Sequence, residues 1–163
     1  MDFAQAYDNV CWEFLRYMLN RLGFGKKWMS WMEGGVFNNN MYILINGSPI
    51  VDFVVSRGLR KGDPLSPFLF VIVAEGLAGI MKKAVENNFF RGFKLVAESV
   101  GTSYSLMQFA DDTIIIGDGS WSNLWAIKSI LRGFEMAYGL RINMNKSKLY
   151  GIGLSPHFML AAP

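Results

Sequence analysis

The sequence predicts an α+β fold, with an antiparallel or mixed sheet and helices packed on one face. Three observations lead there. Apolar residues recur at helical spacing in the segments that follow Asn9, Pro67 and Asn123. Two pairs of short apolar runs flank turn-forming residues, one pair around Asn46-Gly47 and the other, 104–109 and 113–116, around Asp111-Asp112, which is the pattern of hairpins. Helices and hairpins follow each other without the regular strand-helix-strand alternation of a doubly wound sheet. At 163 residues the chain suits one domain with a sizeable core, and a single domain over 1–163 is expected.

The residues 1–4 read as the end of a strand. Asp8 or Asn9 is the expected cap of a helix whose Cys11, Phe14, Leu15, Met18, Leu19 and Leu22 share one face, and Gly23 ends it. The segment 26–32 reads as a second short helix, with Trp28, Met29, Trp31 and Met32 in the core. Segments 41–45 and 50–56 flank Asn46-Gly47-Ser48-Pro49 as a hairpin. Ser66 and Pro67 supply an N-cap and a first-turn proline for a helix that runs through Glu75 towards Glu86. A strand over 93–97 precedes the second hairpin. Ser122 or Asn123 starts a helix with Leu124, Ile127, Ile130, Leu131, Phe134 and Ala137 on one face, closed by Gly139. The segment 140–154 reads as two short strands around Asn145-Lys146-Ser147-Lys148, and His157 as a surface residue.

Composition limits the functional classes. The chain is 52% hydrophobic and 18% charged, with a mean hydropathy of +0.22, so a membrane span has to be considered. Its longest apolar stretch, 68–81, is interrupted by Glu75, Gly76 and Gly79 and followed by Lys82 and Lys83. That falls short of the roughly 20 apolar residues a span requires. A buried helix accounts for it, and no membrane partner is expected; the alternative source of the apolarity is a face that packs against further segments. The net charge of +3 and a pI near 9.0 suit contact with phosphates without requiring it. Cys11 is the one cysteine, which excludes a disulfide framework or a cysteine metal site and favours a reducing compartment. The N-terminus lacks a basic region followed by an apolar run, the pattern of a signal peptide.

The chemistry concentrates in Phe109-Ala110-Asp111-Asp112, two adjacent carboxylates at the tip of a predicted hairpin. Adjacent aspartates repel each other, and a shared cation relieves that repulsion. Asp is also a common turn former, so the pair by itself reads as a turn. Asp2, at the end of another predicted strand, adds a third carboxylate that a common sheet can bring alongside. Three carboxylates at one sheet edge can hold two divalent cations about 3.5–4 Å apart. Oxygen-only ligands favour Mg²⁺ or Mn²⁺ over zinc. The glycine-rich basic loop 57–67 adds cations and backbone N–H groups suited to phosphates.

Four segments together resemble the palm of a reverse transcriptase of the non-LTR (LINE-type) retrotransposon kind, especially those of plants. Asp2-Phe3-Ala4-Gln5-Ala6-Tyr7-Asp8 is similar to the first polymerase motif, and Arg60-Lys61-Gly62-Asp63-Pro64-Leu65-Ser66-Pro67 to the second. Phe109-Ala110-Asp111-Asp112 matches the catalytic hairpin, and Gly139-Leu140-Arg141-Ile142-Asn143-Met144-Asn145-Lys146-Ser147 the motif after it. The resemblance implies an RNA-directed DNA polymerase that adds nucleotides from a dNTP to a primer 3′-OH on an RNA template, by two-metal catalysis. Asp2 and Asp111 would hold both metals with help from Asp112. Tyr7 would check the nucleotide 2′ position, its plainer reading being a packed aromatic. Phe3, Lys61, Gly62, Ser66 and Pro67 would line the nucleotide and template groove. Lys146 would stand near the pyrophosphate as a proton donor, or equally be a solvated turn lysine. Asp8 reads as a helix cap, and Asp63 as a loop residue that fixes Pro64.

Two departures stand out, since family members usually carry Gln where this chain has Lys61 and often Lys where it has Gln5. The fingers segments and the thumb are expected to be missing, so the implied object is a partial palm, weakly active or inactive alone, with other segments of a parent polyprotein as partners. The alternatives are a non-catalytic nucleic-acid-binding remnant and, against the proline-rich second motif, a palm-like nucleotide cyclase. A nuclear location is implied by the resemblance alone.

Overall fold

In the computed structural model, residues 1–38, 40–94, 103–109 and 112–161 are described. Among these residues five α-helices, Trp12–Arg21 (α1), Lys26–Met32 (α2), Ser66–Glu86 (α3), Trp121–Tyr138 (α4) and Pro156–Ala161 (α5), combine with six short strands. The strands form three antiparallel ladders among the described residues: Asn40–Ile45 (β1) with Ser48–Val54 (β2), Phe93–Lys94 (β3) with Ser103–Tyr104 (β4), and Leu106–Phe109 (β5) with Asp112–Ile115 (β6). The α+β class expected from the sequence is therefore observed.

Helix α3 is the hub. It packs against α1, α4 and β5, and its Leu69, Phe70, Val73, Leu77 and Met81 are almost fully buried. Its apolar spacing puts these side chains on one stripe, while Phe68 and Val71 remain exposed. From α1 come Phe14, Leu15, Met18 and Leu19, and from α4 comes Phe134, which lies between Phe3 and Tyr138. Among the described residues no helix is long and apolar enough to cross a membrane.

Several local expectations need correction. Helix α1 is not capped by Asp8 or Asn9, which belong to a short 3-10 turn; Cys11 takes the N-cap position with no side-chain bond. Trp12 is buried in that helix, whereas Leu22 is exposed. Helix α2 has the expected bounds and continues into a π-helical turn, Glu33–Phe37, but Trp31 faces solvent beneath the ammonium of Lys27. Helix α4 begins earlier than expected, because Ser120 Oγ accepts the Asn123 N–H as its cap. Its Ala137 is exposed. The segment 140–154 forms no strand ladder; it contributes one bridge, Ile142 to Phe3, and a turn at 144–146. Helix α5 was not expected. Only Phe93 and Lys94 of the predicted 93–97 strand are described, and the remainder lies outside the described residues. The first hairpin turns on Asn46 and Gly47, both with positive φ (50° and 81°), which is the backbone that Asn-Gly tolerates best.

Two polar ties fix the periphery. Asn123 is buried and fully used: its Nδ2 donates to the carbonyls of Arg91 (2.8 Å) and Asp118 (3.0 Å), and its Oδ1 accepts the Arg91 N–H (2.9 Å). Asn123→Ala should lower stability in urea unfolding by about 1–3 kcal/mol, because three backbone groups lose a partner. Arg16 meets Glu33 through two bonds of 2.7 and 2.9 Å. Hydrogen bonding to Arg16 depresses the Glu33 carboxyl below its ordinary range. A depressed carboxylate adds stability above its unfolded value, and that stability is lost as pH falls through its folded value. The melting temperature of Glu33→Gln should therefore fall slightly below wild type near neutral pH, and the gap should begin to close as pH falls past the ordinary glutamate value of about 4.3 and vanish only below the depressed folded value.

Candidate active site

The site is built on residues 1–4, a segment with one isolated bridge and no ladder of its own, held by backbone hydrogen bonds between β6 and residues 141–143. Met1 and Thr113 exchange backbone hydrogen bonds of 2.8 and 3.1 Å. On the opposite side Ala4 N–H donates to Arg141 carbonyl (2.8 Å) and Asn143 N–H to Asp2 carbonyl (2.9 Å), around the antiparallel bridge of Phe3 with Ile142. The register then dictates which side chains share a face. In an antiparallel pair directly opposed residues point the same way, and successive residues point opposite ways. Met1, Phe3, Thr113 and Ile142 turn towards the core, where Phe3 and Thr113 are buried and Met1 and Ile142 are partly buried. Asp2 falls across from Asp112 on one side and from Asn143 on the other, on the open face.

Asp112 is exposed at the start of β6, across the hairpin from Phe109. Asp111 lies outside the described residues. The Asp2 side chain is 25% exposed, with one carboxylate oxygen 3.7 Å from Lys146 Nζ. That contact follows from the turn before Lys146. Ser147 Oγ accepts the Asp2 N–H (3.3 Å) and donates to Asn143 carbonyl (2.8 Å), and Lys146 N–H donates to Asn143 carbonyl (3.2 Å). The turn is thus tied to the backbone of Asp2, which brings Lys146 to its carboxylate. Asn143 and Ser147 were not singled out from the sequence as supports; their place in the segment that ends in Lys146 was the available signal.

The basic loop lies against the segment that follows Asp2. Gly58 N–H donates to Val10 carbonyl (2.8 Å), Leu59 N–H to Tyr7 carbonyl (2.7 Å), and Trp12 Nε1 to Gly58 carbonyl (2.7 Å). Gly58 holds φ +92°, and a Cβ there would stand 2.9 Å from the Asp8 carbonyl oxygen, so both its conformation and its contact require glycine. Tyr7 is half-buried and stacks on Phe70 of α3, with ring centroids 5.1 Å apart. Lys61 reaches Asp8, Nζ to Oδ2 at 2.7 Å. Gly62 and Pro67 are exposed at the surface of the loop.

Two residues expected to line the groove are placed elsewhere. Phe3 is 4% exposed and packs on Phe70 and Phe134, so its side chain belongs to the core. The Ser66 hydroxyl is buried and donates to Arg60 carbonyl (2.7 Å), closing the loop. Asp63 does hold the loop, its Oδ1 accepting the Leu65 N–H (2.8 Å). Asp8 is no cap; it is the counter-ion of Lys61.

Among the described residues no group of three His, Cys, Asp or Glu side chains stands together for a metal. The described acids at the site are Asp2 and Asp112. Their donor set, carboxylate oxygens on adjacent strands of an open face, fits a hard divalent cation such as Mg²⁺.

The sequence model of the reverse transcriptase (RNA-dependent DNA polymerase) family matches residues 1–153. An uncharacterized mitochondrial protein of Arabidopsis thaliana is 33% identical over 129 residues, covering 77% of this chain and 100% of that protein. A retrovirus-related Pol polyprotein from the type-1 retrotransposable element R2 of Popillia japonica is 24% identical over 157 residues, 95% of this chain but 21% of the polyprotein. An uncharacterized 149 kDa protein of transposon TX1 in Xenopus laevis is 24% identical over 147 residues, 90% of this chain and 11% of that protein. Four motifs in order, three of them described in one site, and a family match over nearly all of its length lead to one conclusion: the chain belongs to the reverse transcriptase family, with its relatives among the non-LTR retrotransposons.

Proposed function

We propose that this chain is the palm of an RNA-directed DNA polymerase, adding a deoxynucleotide from a dNTP to a primer 3′-OH on an RNA template. The observation that supports this best is the register of residues 1–4, which sets Asp2 across from Asp112 on an open face and leaves Phe3 and Thr113 in the core. Asp2 and Asp112, together with Asp111, would hold two Mg²⁺ or Mn²⁺ ions, which when bound offset the charge on the attacking and leaving oxygens.

The protein's own groups bind and orient. Tyr7, whose ring stacks on Phe70, would act as a steric check on the sugar 2′ position. Lys61 and Gly62 lie on the loop hydrogen-bonded to the Tyr7 carbonyl through Leu59, and would contact template and nucleotide from there. Lys146 is 72% exposed on a flexible stem and sits 3.7 Å from Asp2. From there the Lys146 ammonium would reach the departing pyrophosphate and donate a proton to it. Template, primer and the remaining segments of a Pol-like polyprotein are its proposed partners.

Primer extension on an RNA template with Mg²⁺ or Mn²⁺, using the whole chain and an Asp111→Ala, Asp112→Ala double variant, tests the reading. Incorporation by the wild-type chain should fall at least about 100-fold in the variant, in line with the several kcal/mol assigned to metal stabilisation of transition-state charge. Equal incorporation by both would contradict the assignment. RNA binding without any incorporation would favour the second reading, a non-catalytic nucleic-acid-binding remnant.

A further inference from the structure

The structure gives Lys61, at the tip of the basic loop, an acidic partner 53 positions earlier, Asp8, with Nζ 2.7 Å from Oδ2. The stem of the loop is fixed without it: Gly58, Leu59 and Trp12 hold the loop to the segment 7–12 through backbone carbonyls, at 2.7–2.8 Å. Lys61 and Asp8 are therefore not needed to place the loop, and both side chains stay in solvent, 67% and 44% exposed. An exposed pair of this kind holds weakly and opens readily to a competing anion. The acid in it directly follows Tyr7, the residue proposed to check the nucleotide sugar.

We infer that Asp8 masks the charge of Lys61, and that opening of this pair presents the Lys61 ammonium to phosphate oxygens at the Tyr7 groove. The inference rests on the polymerase reading for its ligand, the phosphates of a template strand or of a nucleoside triphosphate. Lysine is a compact point charge with no planar fork, so it can exchange one carboxylate for one phosphate without rearranging the loop. Asp8 is then a positioning residue that sets how strongly the loop attracts phosphate.

The test is a binding cycle with wild type, Asp8→Asn, Lys61→Gln and the double variant, read separately with a short single-stranded RNA and with dATP in Mg²⁺. Asp8→Asn should tighten binding of at least one ligand about threefold, and for RNA should steepen the plot of log affinity against log salt by about 0.7, the value of one freed phosphate contact. Lys61→Gln should weaken binding, and the double variant should match Lys61→Gln, because Asp8 acts only through Lys61. Tightening with RNA alone would assign the phosphate to the template, and with dATP alone to the nucleotide. Asp8→Ser, which also removes the charge, repeats the test with a second side chain. The inference is overturned if removing the acid leaves affinity unchanged, if the tightening persists in the Lys61→Gln background, or if none of the proteins binds either ligand. Binding is read without turnover, so failure of primer extension does not decide it.

Discussion

The antiparallel stitching of residues 1–4 is the constraint on which the rest of the structure depends. Backbone hydrogen bonds on both edges, to Thr113 on one side and to Arg141 and Asn143 on the other, join segments more than 100 positions apart into one surface. A slip of one residue would send Asp2 into the core and Phe3 to the surface, because successive side chains alternate. The apolar face of this strip prevents that slip. Phe3 meets Phe70 and Phe134, so helices α3 and α4 both select the same register. Packing on one face therefore fixes the chemistry on the other.

The same economy places the remaining motifs. Phe70 carries Phe3 on one side of its contacts and Tyr7 on another, so a single core aromatic supports both the strand and the residue proposed to face the sugar. The basic loop owes its place to main-chain bonds and to the absence of a side chain at Gly58, and its charged tip is left adjustable. Lys146 is held in the opposite manner: the turn beneath it is tied by Asn143 and Ser147, and only its long side chain is free. Tied backbone carrying exposed charged side chains is the arrangement on which the proposed phosphate and metal contacts rest.

Much of this was legible in the sequence where local physics decides. The bounds of α2, the Asn46-Gly47 turn and the first-turn proline of α3 follow from periodicity and turn chemistry, whereas Ser66, expected as the N-cap of α3, is its first helical residue, with Leu65 at the cap position and no side-chain cap bond. The four-motif order pointed to the reverse transcriptase family, which the family match shows. What escaped depends on partners distant in sequence. Asp8 has the residue type and position of a helix cap, and only the fold shows Lys61 beside it. Ser66 resembles a groove residue until its hydroxyl is found on Arg60 carbonyl. The segment 140–154 has strand-like apolar residues, but one bridge to Phe3 is all the pairing it makes, and the turn at 144–146 takes the chain elsewhere. Trp31 has core composition and an exposed place, because the stripe of α2 that turns inward is the one carrying Met32.

The central claim is that register puts Asp2 and Asp112 side by side as ligands for one cation site. Electron paramagnetic resonance titration with Mn²⁺ measures this most directly, comparing wild type with Asp2→Asn and Asp112→Asn. The account predicts that each substitution weakens Mn²⁺ binding at least about tenfold, and that the pair together costs less than the sum of the two, as expected for ligands of a shared ion. Unchanged binding in either single variant, or strictly additive losses, would contradict it.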